Sequence, residues 1–471
     1  MTQRDDIVAN AKYLRNVRPI DPEEVCEYVE GHPHPAIVRQ TLREEALSLE
    51  LVERPDGTFA PVPEDPVTTT VDTVEALPNV YDEVIRDMLV ERFGLDWAEG
   101  ESGETLRTTI RRLKDDYYRR RDVEYDAVAS LGYAIYHLPD FYAAIQYVLD
   151  DLVAKRLLPR KLRVLDIGAG VGGPALGLHD FLPEETLVDY HAVEPSAATE
   201  VLDRMLECTA PSFHTRVTET TAEAFEPEGE YDLVLFGNVL NELDDPEAVV
   251  RKYLPSLAED GSVLALAPAD KNTSIGLRQV ERAVTDEATV YSPTVRLWPG
   301  HEPSDRGWSF DVRPDLATPE SQRRLDEATP ESDEAHEPGE FVNVDVQFSY
   351  SILRTDGARI LDVTPSADRY AKMAAMDDHV SNRIDLLAVK LSHNLAQQDA
   401  NPLFKIGDGS QAADHYAVAV KQTSLNHDLH DAAYGDLLAF ESVLALWNDD
   451  EEAFNLVVDE ETVVERIPKP V

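Results

Sequence analysis

"LRVLDIGAGVGG", Leu162 to Gly173, is the stretch that decides the fold. Val164, Leu165 and Ile167 read as a buried strand. Gly168, Gly170 and Gly173 then give G-x-G-x-x-G, where a chain turns tightly into a helix and its backbone comes close to a ligand. By spacing alone this fits a dinucleotide site or a plain structural turn. Asp166 narrows the choice. A carboxylate at the carboxyl end of the strand, just ahead of the first glycine, favours a cationic ammonium or sulfonium ligand and repels a pyrophosphate.

The flanking sequence repeats the strand-and-helix alternation. "RVLDIG", "VDYHAVEP", "FHTRVTET", "YDLVLFG" and "GSVLALA" are mostly continuous apolar runs, the pattern of a parallel sheet covered on both faces. The second strand ends in Glu194-Pro195, and an acid there can accept both hydroxyls of a ribose. Later, "FVNVDVQFSYSILRTDGARILDV" alternates at period two and turns at Thr355-Asp356-Gly357, which predicts an antiparallel hairpin ending near Val363. Residues 299–340, rich in Pro and acid, predict a long, weakly ordered loop.

The chain has 471 residues, too many for one ordinary core, so several domains are expected. It shows no apolar run of membrane-spanning length and no apolar segment behind the charged start, which predicts a cytoplasmic protein without membrane contact. Cys26 and Cys208 cannot build a disulfide framework, and neither they nor the scattered histidines have metal-ligand spacing, so no metal is expected. The net charge of -48 is spread along the chain and resembles proteins of a salt-rich, halophilic cytoplasm, where ions screen self-repulsion. Such acidity does not exclude a nucleic-acid partner.

Residues 1–62 read as two helices and a short hairpin around Pro55-Asp56-Gly57, the outline of a winged helix, although its second helix mixes Arg39 and Arg43 with Glu44 and Glu45. "PEDPVTTTVDTVEALP", residues 63–78, reads as a linker, and 79–158 as a helical lead-in. Within it, "TLRTTIRRLKDDYYRRRD" concentrates Arg111, Arg112, Lys114, Arg119, Arg120 and Arg121. This is either an RNA-phosphate surface with Tyr117 and Tyr118 for stacking, or a solvated face paired to Asp115, Asp116 and Asp122. Residues 366–471 read as strand, strand, strand, helix, strand, strand, the order of an OB-type β-barrel, a fold that holds single-stranded nucleic acid or serves as an adaptor.

The D-x-G-x-G lead, the acid of the second strand and the closing hairpin together resemble a class I S-adenosylmethionine-dependent methyltransferase, here over residues 159–365. "GNVLNEL", the passage "VYSPTVRLWPGHEPSDRGWSF", "FSYSILR" and the lead-in "YYRRRDVEYDAVASLGYAIYHLPDF" resemble the Rsm22 family, methyltransferase-like proteins of the small ribosomal subunit. The resemblance covers about Tyr117 to Val363. It implies an α/β, Rossmann-like sheet, parallel but for its closing antiparallel hairpin, flanked by the winged-helix-like and helical regions and the OB-like barrel.

It further implies S-adenosylmethionine as cofactor and the small ribosomal subunit or its rRNA as partner, with the chain acting as an enzyme or as a non-catalytic assembly protein that keeps the pocket. By resemblance, Gly168, Ala169, Gly170 and Gly172 approach the methionine moiety, Asp166 its amino group, Glu194 the ribose, and Thr221 and Ala222 the adenine. Asn238, Asn241 and Asp270 are the candidates at the methyl-transfer site, although Asn238 and Asn241 could instead cap a helix beginning near Glu242. Family members often carry an iron-sulfur cluster on cysteines near Trp298 and Trp308. This chain has no cysteine there, so no cluster is expected.

Overall fold

A helix missing from the sequence reading opens the chain. Gln3–Leu14 is closed by a capping box in which Thr2 and Asp5 exchange side-chain bonds, yet it buries only Ile7 and Ala11, too few for a clear period. The computed structural model describes residues 2–119, 124–293, 295–301, 307–397 and 400–468. The chain divides into two compact units, residues 1–237 with 256–258 and 314–344, and residues 238–255 with 259–313 and 345–471.

The first unit begins with a small core of Ile7, Val25, Val38, Leu42, Leu49 and Phe59. Helices Pro22–Tyr28 and Pro35–Glu44 pack there beside the antiparallel pair β1 (Leu51–Glu53) and β2 (Phe59–Pro61). This is the winged outline, but the bases of its second long helix face inward to the wing. Arg43 donates to both oxygens of Glu53, and Arg39 approaches the same carboxylate at 3.4 Å. The 63–78 connection is a docked strap. Val67 is fully buried, its N–H reaches Leu158 O at 2.8 Å, and Val74 N–H reaches the Tyr147 hydroxyl at 2.8 Å.

Four parallel strands follow, β3 (Lys161–Ile167), β4 (Leu187–Val193), β5 (Phe213–Thr218) and β6 (Tyr231–Gly237), paired in the order β5-β4-β3-β6. Helix Gly173–Phe181 runs back from β3 against the long helix Ala127–Val153. Gly177 permits this approach, because a Cβ there would lie 2.3 Å from Tyr142 O. Pro139 sits inside the long helix, where it cannot donate to Ile135 O. Gln322 replaces that donor at 2.8 Å, and Asn343 Nδ2 satisfies Tyr136 O at 2.9 Å.

That repair corrects the expectation of a weakly ordered 299–340 loop. The described part contains helix Glu320–Glu327, and Leu316, Leu325, Phe341 and Gln322 are buried. Two of its polar residues, Gln322 and Asn343, bond to the helix carbonyls beside Pro139.

The second unit holds β7 (Leu257–Pro268), β8 (Thr289–Ser292), β9 (Asp311–Arg313) and β10 (Val346–Arg354). Parallel β3–β6 in the first unit and β7, β8 and β9, antiparallel to β10, in the second give the expected Rossmann-like α/β class. The hairpin partner differs from expectation. β10 is antiparallel to β7, β8 and β9, all upstream of it, and among the described residues no strand after Asp356 joins this sheet. Arg354, fully buried, turns onto Asp356, Asp260 O and Ser262, and Asp356 accepts from Ala358 N–H. With that edge of β10 occupied by β8, the returning chain makes a bond from Ile360 N–H to Tyr291 O at 3.0 Å.

The remaining strands are β11 (Arg383–Lys390), β12 (Leu403–Gly407), β13 (Asp414–Ala419), β14 (Leu437–Asn448), β15 (Ala453–Val458) and β16 (Val463–Ile467). They pair in the order β11-β12-β13-β15-β14-β16, and β11 also pairs β14, so five strands close on themselves. A parallel β13–β15 pair and a helical turn at Asp428–Asp431 between β13 and β14 complete the OB-like plan. The barrel is joined to 259–313 within this unit. Buried Asp408 accepts from Trp298 Nε1 at 2.7 Å, and Leu297 N–H reaches Asp408 O at 2.8 Å.

Candidate cofactor site

The carboxyl end of β3 and the turn after it form the site in the first unit. Gly168, Gly170 and Gly172 have φ of 70°, 53° and 90°, which side chains other than glycine adopt only under strain. At Gly172 a Cβ would also lie 2.9 Å from Leu202 Cδ1. The turn is anchored from β4. Val193 O accepts from Gly168 N–H at 2.8 Å and from Ala169 N–H at 3.3 Å. Glu194 accepts from Gly170 N–H at 2.9 Å with one carboxylate oxygen and from Ser196 N–H at 2.9 Å with the other. Glu194, assigned to a ribose, therefore first shapes the loop, and each oxygen keeps a second lone pair.

Asp166 is fully buried. Its Oδ2 accepts from the Tyr190 hydroxyl at 2.5 Å, whereas its buried Oδ1 has no hydrogen-bond partner. Burial pushes its pKa up to about 7, against the Tyr190 bond and with a smaller push from the charge of Glu194. A buried carboxylate with an unused oxygen is costly, and an ammonium group is the ligand that would relieve it. Tyr190 was missed by the sequence reading. The signal was a tyrosine inside an otherwise apolar run, whose hydroxyl needs a buried partner.

Thr221 is exposed at a turn, its Oγ1 accepting from Ala224 N–H at 3.3 Å, and Ala222 beside it is buried. In the second unit, Asn238 adopts a left-handed φ of 63° and is buried, its N–H on Leu266 O and its Nδ2 without a partner. Asn241 is exposed on the turn Leu240–Glu242. Neither asparagine caps the next helix, Pro246–Tyr253, whose cap is Asp245. Asp270, a candidate base, is instead the N-cap of helix Lys271–Ala283, accepting from Asn272 N–H, Thr273 N–H and the Thr273 hydroxyl.

The basic helix Gly100–Tyr118 spends much of its charge internally. Arg111 makes two 2.6 Å bonds to Glu340 and a 2.9 Å pair with Asp333. Lys114 donates to Glu340 O at 2.7 Å and lies over the Tyr136 ring. Both are corrected from phosphate contacts to struts of the 314–344 segment. Arg112 is exposed and Arg119 pairs with Asp115, while Arg120 and Arg121 lie outside the described residues. Among the described residues no helix is long and apolar enough to cross a membrane, and no group of three or more His, Cys, Asp and Glu is placed to hold a metal.

Residues 141–311 match the family described as methyltransferase domain. Residues 4–55 and 374–467 match the N-terminal and C-terminal domains of a domain of unknown function, DUF8157. No match was found among curated proteins. Similar solved structures include an S-adenosylmethionine-dependent methyltransferase from Clostridium acetobutylicum, at 15% identity and TM-score 0.24 over 37% of this chain and 61% of that one. A precorrin-6y C5,15-methyltransferase from Geobacter metallireducens is 18% identical, TM-score 0.24, over 31% and 71%. The plantazolicin methyltransferase BamL, in complex with a triazolic desmethylPZN analog and SAH, is 12% identical, TM-score 0.30, over 59% and 97%. The chain thus spans less than two thirds of the first of these structures. Residues 141–311 thus match a methyltransferase domain and supply strands of a Rossmann-like fold.

Proposed function

We propose that this chain is an S-adenosylmethionine-dependent methyltransferase whose acceptor is small-subunit ribosomal RNA or a particle assembling around it. The observation that carries the first half is the unpartnered, fully buried Oδ1 of Asp166 beside the left-handed glycine turn. That donor set fits a ligand with an ammonium group. When bound, S-adenosylmethionine supplies a methyl group on a sulfonium, which is electrophilic without metal assistance. Asp166 would hold the amino group, Gly168 to Gly172 would let backbone come close, and Glu194 would keep the loop in shape while offering its remaining lone pairs to a ribose. Methyl transfer then needs an acceptor held in line and a place for one proton.

The RNA half of the reading is supported by the resemblance to the Rsm22 family and by the OB-like barrel of β11–β16. A second reading, an RNA-binding assembly protein that keeps the pocket without turnover, is favoured by Asp270 being spent on a helix cap. Radioactive methyl incorporation into immature small subunits separates the two. The enzyme reading expects incorporation by the wild type that is lost in Asp166→Ala. No incorporation by either, with S-adenosylhomocysteine still bound by the wild type, supports the assembly protein.

Gly172→Val tests the turn itself. The required φ of 90° and the 2.9 Å approach to Leu202 must both be relieved by moving the loop. We expect calorimetric affinity for S-adenosylhomocysteine to fall about 100-fold or more, with a fold cost of about 1–3 kcal/mol by chemical denaturation.

A further inference from the structure

We infer that His137 is the proton acceptor of the methyl-transfer step and that the acceptor is a planar nitrogen heterocycle, the class to which RNA bases belong. The inference rests on the proposed methyltransferase reading and names the residue that this reading lacks.

The packing of two helices carries it. Along the long helix Ala127–Val153, Tyr142 O and Ile145 Cγ2 each lie 2.3 Å from where a Cβ on Gly177 would be. One turn earlier, Leu138 O and Phe141 Cβ stand 3.0 and 3.1 Å from the same point on Gly173. Lower numbers on one helix thus meet lower numbers on the other. Continued in the same register, one turn back from Phe141 reaches His137 and two turns reach Tyr133, so by helix geometry His137 lies level with the residues that precede helix Gly173–Phe181. This is the crevice outside the carboxyl ends of the strands, where open α/β sheets bind their ligands.

The side chains there form an aromatic ladder. His137 stacks on Phe141 with centroids 5.4 Å apart and planes 8° from parallel, Tyr133 tilts against His137 at 4.9 Å, and Tyr125 meets Tyr133 edge-on at 5.4 Å. His137 keeps 31% of its side chain exposed. The exposed part of the His137 ring is the surface on which a flat ring can stack.

His137 is also oriented. Its Nδ1 lies 3.5 Å from Asp140 Oδ2. Asn343 Nδ2 is 3.5 Å from the same Nδ1, but its two hydrogens have nearer acceptors, Tyr136 O at 2.9 Å and Asp140 Oδ2 at 3.1 Å. We read Nδ1–H as directed at Asp140, which leaves Nε2 as the proton acceptor, the arrangement of a base steadied by a carboxylate. Asp140 and Asn343 are positioning residues, Asn343 being held beside Pro139 by its bond to Tyr136 O. In the step, the acceptor's N–H gives its proton to Nε2 and its electron pair forms the bond to the methyl carbon. The carbon–sulfur pair remains on sulfur, leaving a neutral thioether.

The test compares wild type, His137→Phe, His137→Gln and Asp140→Asn. Methylation of immature small subunits should fall about 100-fold or more in both His137 variants, while calorimetric affinity for S-adenosylhomocysteine stays within about threefold. Independently of turnover, 15N NMR of histidine-labelled wild type with S-adenosylhomocysteine bound should show the His137 signal, identified by its loss in His137→Gln, as the Nδ1–H tautomer. Asp140→Asn should shift it. An Nε2–H tautomer, or near wild-type methylation by His137→Phe, overturns the role of His137 and leaves the methyltransferase reading standing. Failure of the wild type to bind S-adenosylhomocysteine overturns both.

Discussion

S-adenosylhomocysteine will bind this protein about 50-fold more tightly at pH 7 than at pH 5, and gain only about twofold more above pH 7. The cause is Asp166, whose pKa is pushed up to about 7 by burial. Below that value the folded protein holds a proton on this carboxyl, and an ammonium ligand must displace it. Above that value the carboxylate is already charged and no proton is released. In Asp166→Asn the slope should disappear and the affinity at pH 8 should drop about 100-fold, as a charge-assisted partner is lost. The same group gives the ligand-free protein an opposite trend. Its folded pKa lies above the ordinary carboxylate value, so between about pH 4 and 7 the unfolded chain binds fewer protons and stability falls as pH rises. Calorimetry across pH reads the first effect and chemical denaturation without ligand the second.

The second large effect is expected from Gln322→Leu, which keeps volume and removes polarity. Gln322 is fully buried, donates to Ile135 O and Asn343 O, and accepts from Asn343 N–H at 2.9 Å. Its loss strands the Ile135 carbonyl beside Pro139 and an amide on the 314–344 segment, at about 1–3 kcal/mol for each unsatisfied buried group. Denaturation should report a loss of about 2–5 kcal/mol. Methylation should also weaken, because Asn343 and Asp140 shift with the segment.

These two residues mark the limits of what was legible in the chain. β3, β4, β6 and β7 were readable because a strand buried on both faces must be apolar almost throughout, and the glycine turn because its backbone angles admit little else. Asp166 stood out as a charge at the end of such a strand. The strand at 346–354 was legible, but alternation marks a strand without naming its partner, and β8 took the edge assigned to a downstream return. Residues 314–344 looked loose because their apolar content is low. Their order comes from carbonyls exposed by a proline far back in the chain, a link no local pattern displays. The basic helix misled for the same reason, since Glu340 and Asp333 claim Arg111 from a distant segment.

The most direct measurement is a calorimetric titration of the wild-type chain in multimolar potassium chloride with S-adenosylhomocysteine and, separately, with NADH. A buried carboxylate before the glycine turn predicts uptake of the first at one site per chain and no heat from the second. Binding of NADH with none of S-adenosylhomocysteine would contradict it.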